Sequence, residues 1–170
     1  MEKFSDQIPD EILPVGEKLK GKTLKVYNRL MEVPQTFIHG DFRLDNLFFY
    51  GDGTSIAVID WQGYAYGPAT WDVARFLVGS LDPEDRSTKA LDLLKNYHGL
   101  LVDQGIQNYI YSQLENDFRL TLLSMLFFTV AVFVKVDVEV NERSRAFVKK
   151  ALQRTCAAIL DYQAIDLMPE

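Results

Sequence analysis

The 170-residue chain is short of the residues that build stapled or metal-clustered proteins. It has one cysteine, Cys156, so no internal disulfide can form, and no basic, apolar and small-residue leader opens it. A reducing cytoplasm is the expected compartment. Two histidines, His39 and His98, are too few for a metallohydrolase built on histidine ligands. Positive charge is in deficit, with 18 Lys plus Arg against 24 Asp plus Glu and a formal net charge of −6. That balance offers nothing to nucleic acid or anionic lipid, and suits a metal cation or a cationic substrate better. The longest apolar stretch, Leu120 to Val134, falls short of the ~20 residues that cross a bilayer, so it reads as a buried core helix and no membrane partner is expected. What the chain does have is 48% hydrophobic, 12% aromatic and 25% charged residues, the composition of a soluble globular domain. At this length folding hides roughly 70% of the unfolded surface, enough for a core without staples.

No repeat or low-complexity tract divides the chain, and its punctuation predicts a single domain over residues 1–170, mainly helical α+β. From Asp10 to Met31 apolar residues recur near a 3.6-residue period, which predicts one amphipathic helix ended by Pro34. Thr36 to His39 reads as extended. Leu47–Tyr50 and Ile56–Ile59 flank Gly51, Asp52, Gly53 and Thr54, the composition of a hairpin turn, and both faces of that hairpin read as buried. Beyond Gly67-Pro68, helical patterns run from about Thr70 to Ser80, Pro83 to Val102, Asn108 to Lys135 and Asn141 to Ala164, the last capped by Asn141.

The chemistry gathers around the hairpin. In His39-Gly40-Asp41-Phe42-Arg43-Leu44-Asp45-Asn46 an acid and an amide stand five residues apart, and Asp60 ends the apolar run Ile56–Ile59. A turn centred on Gly53 would place Asn46 opposite Asp60 at the open end of the ladder. An amide oxygen and a carboxylate converging beside a second carboxylate form a hard-oxygen set suited to Mg²⁺ that bridges phosphates. Phosphoryl-transfer enzymes use such a layout: one Asp orients the attacking hydroxyl, while a following Asn and a later Asp hold the metal. Arg43 can place a fixed positive charge near the transferring group.

The rival motif, Gly16-Glu17-Lys18-Leu19-Lys20-Gly21-Lys22-Thr23, satisfies the P-loop pattern letter for letter. Its context excludes it, because Glu11-Ile12-Leu13-Pro14-Val15 carries a proline that a central strand does not tolerate.

The strings Ile38-His39-Gly40-Asp41-Phe42-Arg43-Leu44-Asp45-Asn46, Val58-Ile59-Asp60-Trp61-Gln62, Gly67-Pro68 and Trp71-Asp72-Val73-Ala74 resemble the aminoglycoside phosphotransferase and choline kinase-like superfamily, in the bacterial branch near the ecdysteroid kinase-like proteins. The resemblance implies the C-terminal lobe of a protein kinase-like fold and a cytoplasmic transferase moving the γ-phosphate of ATP to the hydroxyl of a small molecule. By position it implies Asp41 as catalytic base with Arg43 beside it, Asn46 and Asp60 as ligands of Mg²⁺ and of the ATP it carries, and Asp72 as an acid bracing the loop from the next helix.

Residues outside those roles have ordinary readings. His39 reads as a packed loop anchor, Trp61 as core, Gln62 as a turn cap or a substrate contact, and Asp45 as a solvated or a functional charge. Cys156 reads as a small buried hydrophobe and His98 as a surface residue. Asp117, Asp137, Glu139 and Glu142 read as a solvated acidic face rather than a site for a cationic ligand. About 38 residues precede the catalytic loop, and none offers the strand-borne lysine that pairs the nucleotide's phosphates in such kinases. The N-terminal nucleotide lobe is therefore expected to be absent from this chain. Two classes of protein stay open: half of a Mg-ATP small-molecule kinase, its other lobe supplied in trans, or a catalytically incomplete lobe acting as a binding module, self-associated as a homodimer through bare apolar surface.

Overall fold

The computed structural model describes Asp10, residues 13–135 and residues 142–169. Their architecture is mainly helical α+β, with six α-helices and two small antiparallel ladders. The expected N-terminal helix is instead two, α1 (Leu13–Leu19) and α2 (Thr23–Glu32). The break is at Gly21, whose φ of +77° lies in the left-handed region where a helix commonly ends and where glycine carries no Cβ penalty. The Lys22 amide donates back to the Leu19 carbonyl at 2.8 Å, closing the end of α1.

Strand β1 (Gln35–Ile38) is followed by the loop of interest, then β2 (Leu47–Phe49), β3 (Ile56–Val58) and β4 (Ala65–Pro68). The hairpin is β2 with β3, in the register Leu47 to Val58 and Phe49 to Ile56. Its turn is clasped by Asp52, whose Oδ1 accepts the Thr54 and Ser55 amides at 2.9 and 2.8 Å and whose Oδ2 accepts the Ser55 hydroxyl at 2.6 Å. These bonds, first those of the Ser55 hydroxyl and amide, hold the Asp52 carboxyl down at about 2. A depressed carboxylate supports its fold above its unfolded pKa of 3.8 and loses that support as pH falls through the folded value. The Asp52 side-chain carbon is thus expected to titrate near pH 2 by NMR, with the turn amides losing exchange protection between about pH 4 and pH 2. A midpoint near 3.8 would show that the clasp does not form.

The hairpin is not buried on both faces. Phe48 is 60% exposed, and Phe49, Tyr50 and Ile56 are exposed beside it. Apolar composition marked the strands correctly and their covering wrongly: the ladder is a lone pair of three-residue strands, too little sheet to hide its own aromatics. The other ladder joins β1 to β4, pairing Gln35 with Pro68 and Ile38 with Ala65. Gly67 lets β4 lie against β1, since a Cβ there would sit 2.6 Å from Ile38 Cδ1.

Helices α3 (Trp71–Ser80), α4 (Pro83–Asp103), α5 (Tyr111–Lys135) and α6 (Glu142–Asp161) complete the chain. Two compact units divide it. One is Met1–Leu30 with Arg119–Glu170, and the other is Met31–Phe118. In the first, Leu19, Val26, Leu122, Leu123, Met125, Leu152 and Ile159 are buried, and Cys156 is fully buried with its thiol pushed up to about 12 by burial. That thiol stays protonated and takes the part of a small hydrophobe. In the second unit Ile38, Ala74, Leu77, Val78, Leu94, Leu114 and Phe118 form the core.

The Leu120–Val134 stretch lies in α5, and among the described residues no helix is long and apolar enough to cross a membrane. The acidic-face reading fails at Asp117, which is only 8% exposed and accepts the Tyr109 hydroxyl at 2.7 Å. Asp137, Glu139, the Asn141 cap and the side chain of Glu142 lie outside the described residues. His98 also has a partner: its Nε2 is 2.7 Å from the Tyr109 carbonyl, and its ring meets the edge of Tyr111.

Candidate active site

The loop from His39 to Asn46 leaves β1 beside α3, whose first turn holds its backbone. Asp72 Oδ2 accepts the His39 amide at 2.6 Å and Oδ1 accepts the Gly40 amide at 2.9 Å. A carboxylate taking two amides satisfies donors that no ladder supplies, and charge strengthens both bonds. Next to it, Trp71 Nε1 donates to the Gly40 carbonyl at 3.0 Å, so both backbone polar groups of Gly40 are taken up by α3.

Gly40 is the pivot. Its φ is +85°, and a Cβ built there would lie 2.1 Å from the Gly63 carbonyl oxygen. The loop thereby touches the 3₁₀ turn Trp61–Gly63, which follows Asp60. His39, 3% exposed, joins the same two segments through its ring: Nδ1 accepts the Asp41 amide at 3.2 Å, and Nε2 faces the Ile59 carbonyl at 2.8 Å. An acceptor at Nδ1 assigns the proton to Nε2, which donates to Ile59. Trp61 is not core. It is 44% exposed, stacked on Phe37 with ring centres 5.9 Å apart and lying 4.6 Å from the His39 ring, while Nε1 donates to the Val58 carbonyl at 3.0 Å.

Asp41 sits at the centre of the loop with both carboxylate oxygens engaged. Arg43 Nε donates to Oδ2 at 3.1 Å, and Arg75 donates to Oδ1 through Nε at 2.8 Å and Nη2 at 2.7 Å. Burial raises the Asp41 pKa, but the charge and hydrogen bond of Arg75, followed by those of Arg43, outweigh it and hold the carboxyl below its ordinary value. Arg43 is itself steadied by Asp45, which pairs with its Nη1. Asp45 is thus partnered at its head although its side chain stands mostly in solvent.

Asn46 is buried, and its amide nitrogen donates to the Asp41 carbonyl at 2.8 Å and reaches Asp41 Oδ2 at 3.3 Å. With Nδ2 committed to Asp41, the amide oxygen is the end left to receive a cation. Asp60 does not lie directly opposite Asn46. The ladder runs half a residue off the expected centre, so the Asn46 carbonyl receives the Ile59 amide at 3.0 Å and Asp60 is one residue further on. Asp60 adopts a left-handed conformation, φ 62°, and is exposed. Its carboxylate, the Asn46 amide oxygen and Asp41 are hard-oxygen donors of the kind Mg²⁺ takes, two or so from protein and the rest from water and phosphate. Among the described residues no three His, Cys, Asp or Glu side chains group as a metal cluster.

Arg75 is the site residue that reading the sequence alone passes over. A signal existed: Trp71, Asp72 and Arg75 fall at positions i, i+1 and i+4, on one face of a helix. What was missing was knowledge that this face meets the loop. Ser80, at the other end of α3, adds a contact by accepting the Leu44 amide at 3.0 Å.

Against known proteins, no curated protein and no solved structure matches the chain. A family model does match residues 3–168, that of DUF1679, whose description reads "Uncharacterized oxidoreductase dhs-27". That match spans nearly the whole sequence, and the chain belongs to the DUF1679 family.

Proposed function

We propose that this protein is the catalytic-loop half of a Mg-ATP-dependent phosphotransferase acting on the hydroxyl group of a small molecule. The observation that carries the reading is the setting of Asp41: a half-buried carboxylate on a loop braced by α3, with an amide oxygen from Asn46 and the Asp60 carboxylate following in order. In this reading Asp41 orients the substrate hydroxyl and receives its proton. A carboxylate held below its ordinary pKa is a weak base at neutral pH. It suits a loose transition state, in which the hydroxyl needs aiming more than deprotonating. Arg43 and Arg75 keep both Asp41 oxygens at fixed positions and leave positive charge beside the reacting centre. Asn46 and Asp60 would hold Mg²⁺, which would supply charge to offset that of the phosphates.

The family description raises an oxidoreductase instead. Binding of a nicotinamide or flavin dinucleotide in the usual way needs a parallel sheet with a Gly-rich turn leading into a helix. The described ladders are antiparallel, and no G-x-G-x-x-G string occurs in the chain. The phosphotransferase reading therefore uses more of the site's particulars.

In this reading the strand-borne lysine and the cover over the nucleotide come from polypeptide outside the described residues, in cis or in trans. The test is transfer of labelled γ-phosphate from ATP to a mixed pool of hydroxyl-bearing metabolites, using the longest natural polypeptide that contains these residues. Mg²⁺-dependent labelling, lost in Asp60→Ala, is expected. Labelling unaffected by Asp60→Ala, or none at all, would remove the reading.

A further inference from the structure

Beside the loop, and lined by Phe42 and Asp72 but not by Asp41, Asn46 or Asp60, the unit Met31–Phe118 contains a cleft of about 370 Å³. None of the proposed phosphotransfer chemistry uses it. Its floor is Ile38 and Leu77, both buried, and its walls include Phe42 and Phe76, with ring centres 5.7 Å apart. Leu93 stands exposed at its mouth. Three polar side chains line this mostly apolar space, Thr36, Asp72 and Tyr97, and of these Asp72 and Tyr97 lie close enough for the Asp72 charge to act on the Tyr97 hydroxyl.

We propose that this cleft binds a neutral two-ring compound bearing a hydroxyl group, and that its occupancy stiffens the His39–Gly40 backbone through Asp72. Size argues for two rings: a cavity of about 150 Å³ takes one benzene ring, and small-molecule sites begin at roughly 300 Å³. Chemistry argues for the hydroxyl. Asp72 spends one lone pair on each side of its carboxylate on the His39 and Gly40 amides, so about half of its acceptor capacity is left for a ligand donor. Tyr97 sits at the same end and makes a long bond of 3.4 Å to the Ala69 carbonyl. Burial, then the charge of Asp72, raises its pKa, so it remains a protonated donor that can turn to a ligand oxygen. A carboxylate ligand would meet the Asp72 charge, and a plain hydrocarbon would leave these polar groups without the exchange they lose to water.

The inference does not rest on phosphotransfer and is tested by binding alone. The full chain is titrated with 2-naphthol, naphthalene and 2-naphthoate, followed by ligand fluorescence and by NMR. Saturable binding of 2-naphthol is expected, with contacts to the Ile38 and Leu77 methyls and slower exchange of the His39 and Gly40 amides. Naphthalene should bind about tenfold more weakly, the size of one hydrogen bond to a charged acceptor, and 2-naphthoate more weakly still. Leu93→Trp, at an exposed position, narrows the mouth and should weaken 2-naphthol at least as much. The ligand contacts in the unsubstituted chain decide the matter even where that variant fails to fold. Absent or non-saturable binding, contacts elsewhere, or equal affinity for naphthalene or 2-naphthoate would overturn the site. Unchanged exchange at His39 and Gly40 would overturn its link to the loop.

Discussion

Gly40→Ala is expected to destabilise the unit Met31–Phe118 by more than about 3 kcal/mol, the range reserved for backbone strain and unrelieved overlap. Two costs combine. A left-handed conformation charges any L-residue with a Cβ roughly 1–2 kcal/mol. The larger cost is that the new Cβ would lie 2.1 Å from the Gly63 carbonyl oxygen and 2.9 Å from its carbon. Those are backbone atoms, so no rotamer relieves the contact. Either the loop or the Trp61–Gly63 turn must shift, and shifting the loop breaks the two Asp72 bonds. Denaturant unfolding of the wild type and Gly40→Ala measures the loss, with Gly99→Ala as a control, because a Cβ at that exposed helical position meets nothing within 4 Å. Equal losses in the two variants would show that the loop and the turn do not approach as described.

Asp41→Asn is expected to lower kcat by about 10²–10⁴-fold in a polypeptide active by the test above, with the KM for nucleotide changed little. The amide keeps the volume of the carboxylate and one oxygen for an arginine, but cannot take the proton of a hydroxyl. Loss confined to kcat is the mark of a group acting in the transition state. Matching loss of nucleotide binding would place Asp41 among the structural or metal-holding residues. Arg75→Lys separates aiming from charge: a lysine keeps one positive charge and loses the two-nitrogen grip on Oδ1, so kcat should fall while nucleotide KM holds. An unchanged kcat would mean that Arg75 does not position Asp41.

Much of this was written in the chain itself. The helical periods predicted α3, α4 and α5 to within a few residues, because amphipathic burial is a local pattern. The Gly-rich turn with its Asp52 marked the hairpin for the same reason. The string His39 to Asn46 stood out as a candidate site because an acid and an amide at close, ordered spacing is the layout that phosphoryl transfer would use. Contacts between segments distant in sequence decided the rest. The β1–β4 ladder joins Gln35 to Pro68, a pairing for which four residues of Ala65-Tyr66-Gly67-Pro68 carry no signal of their own. A half-residue difference in hairpin register set Ile59 rather than Asp60 opposite Asn46, and register depends on how the turn closes rather than on which residues flank it. Exposure of Trp61 and the hairpin aromatics, and burial of Asp117, depend on which layers meet, and hydrophobicity alone does not say this. Arg75 gained its place at Asp41 only when α3 docked on the loop. The sequence by itself determined where the long helices and the hairpin form and which residue types can do chemistry; the tertiary structure decided the β1–β4 pairing and what each side chain faces, because facing is a property of packing between segments.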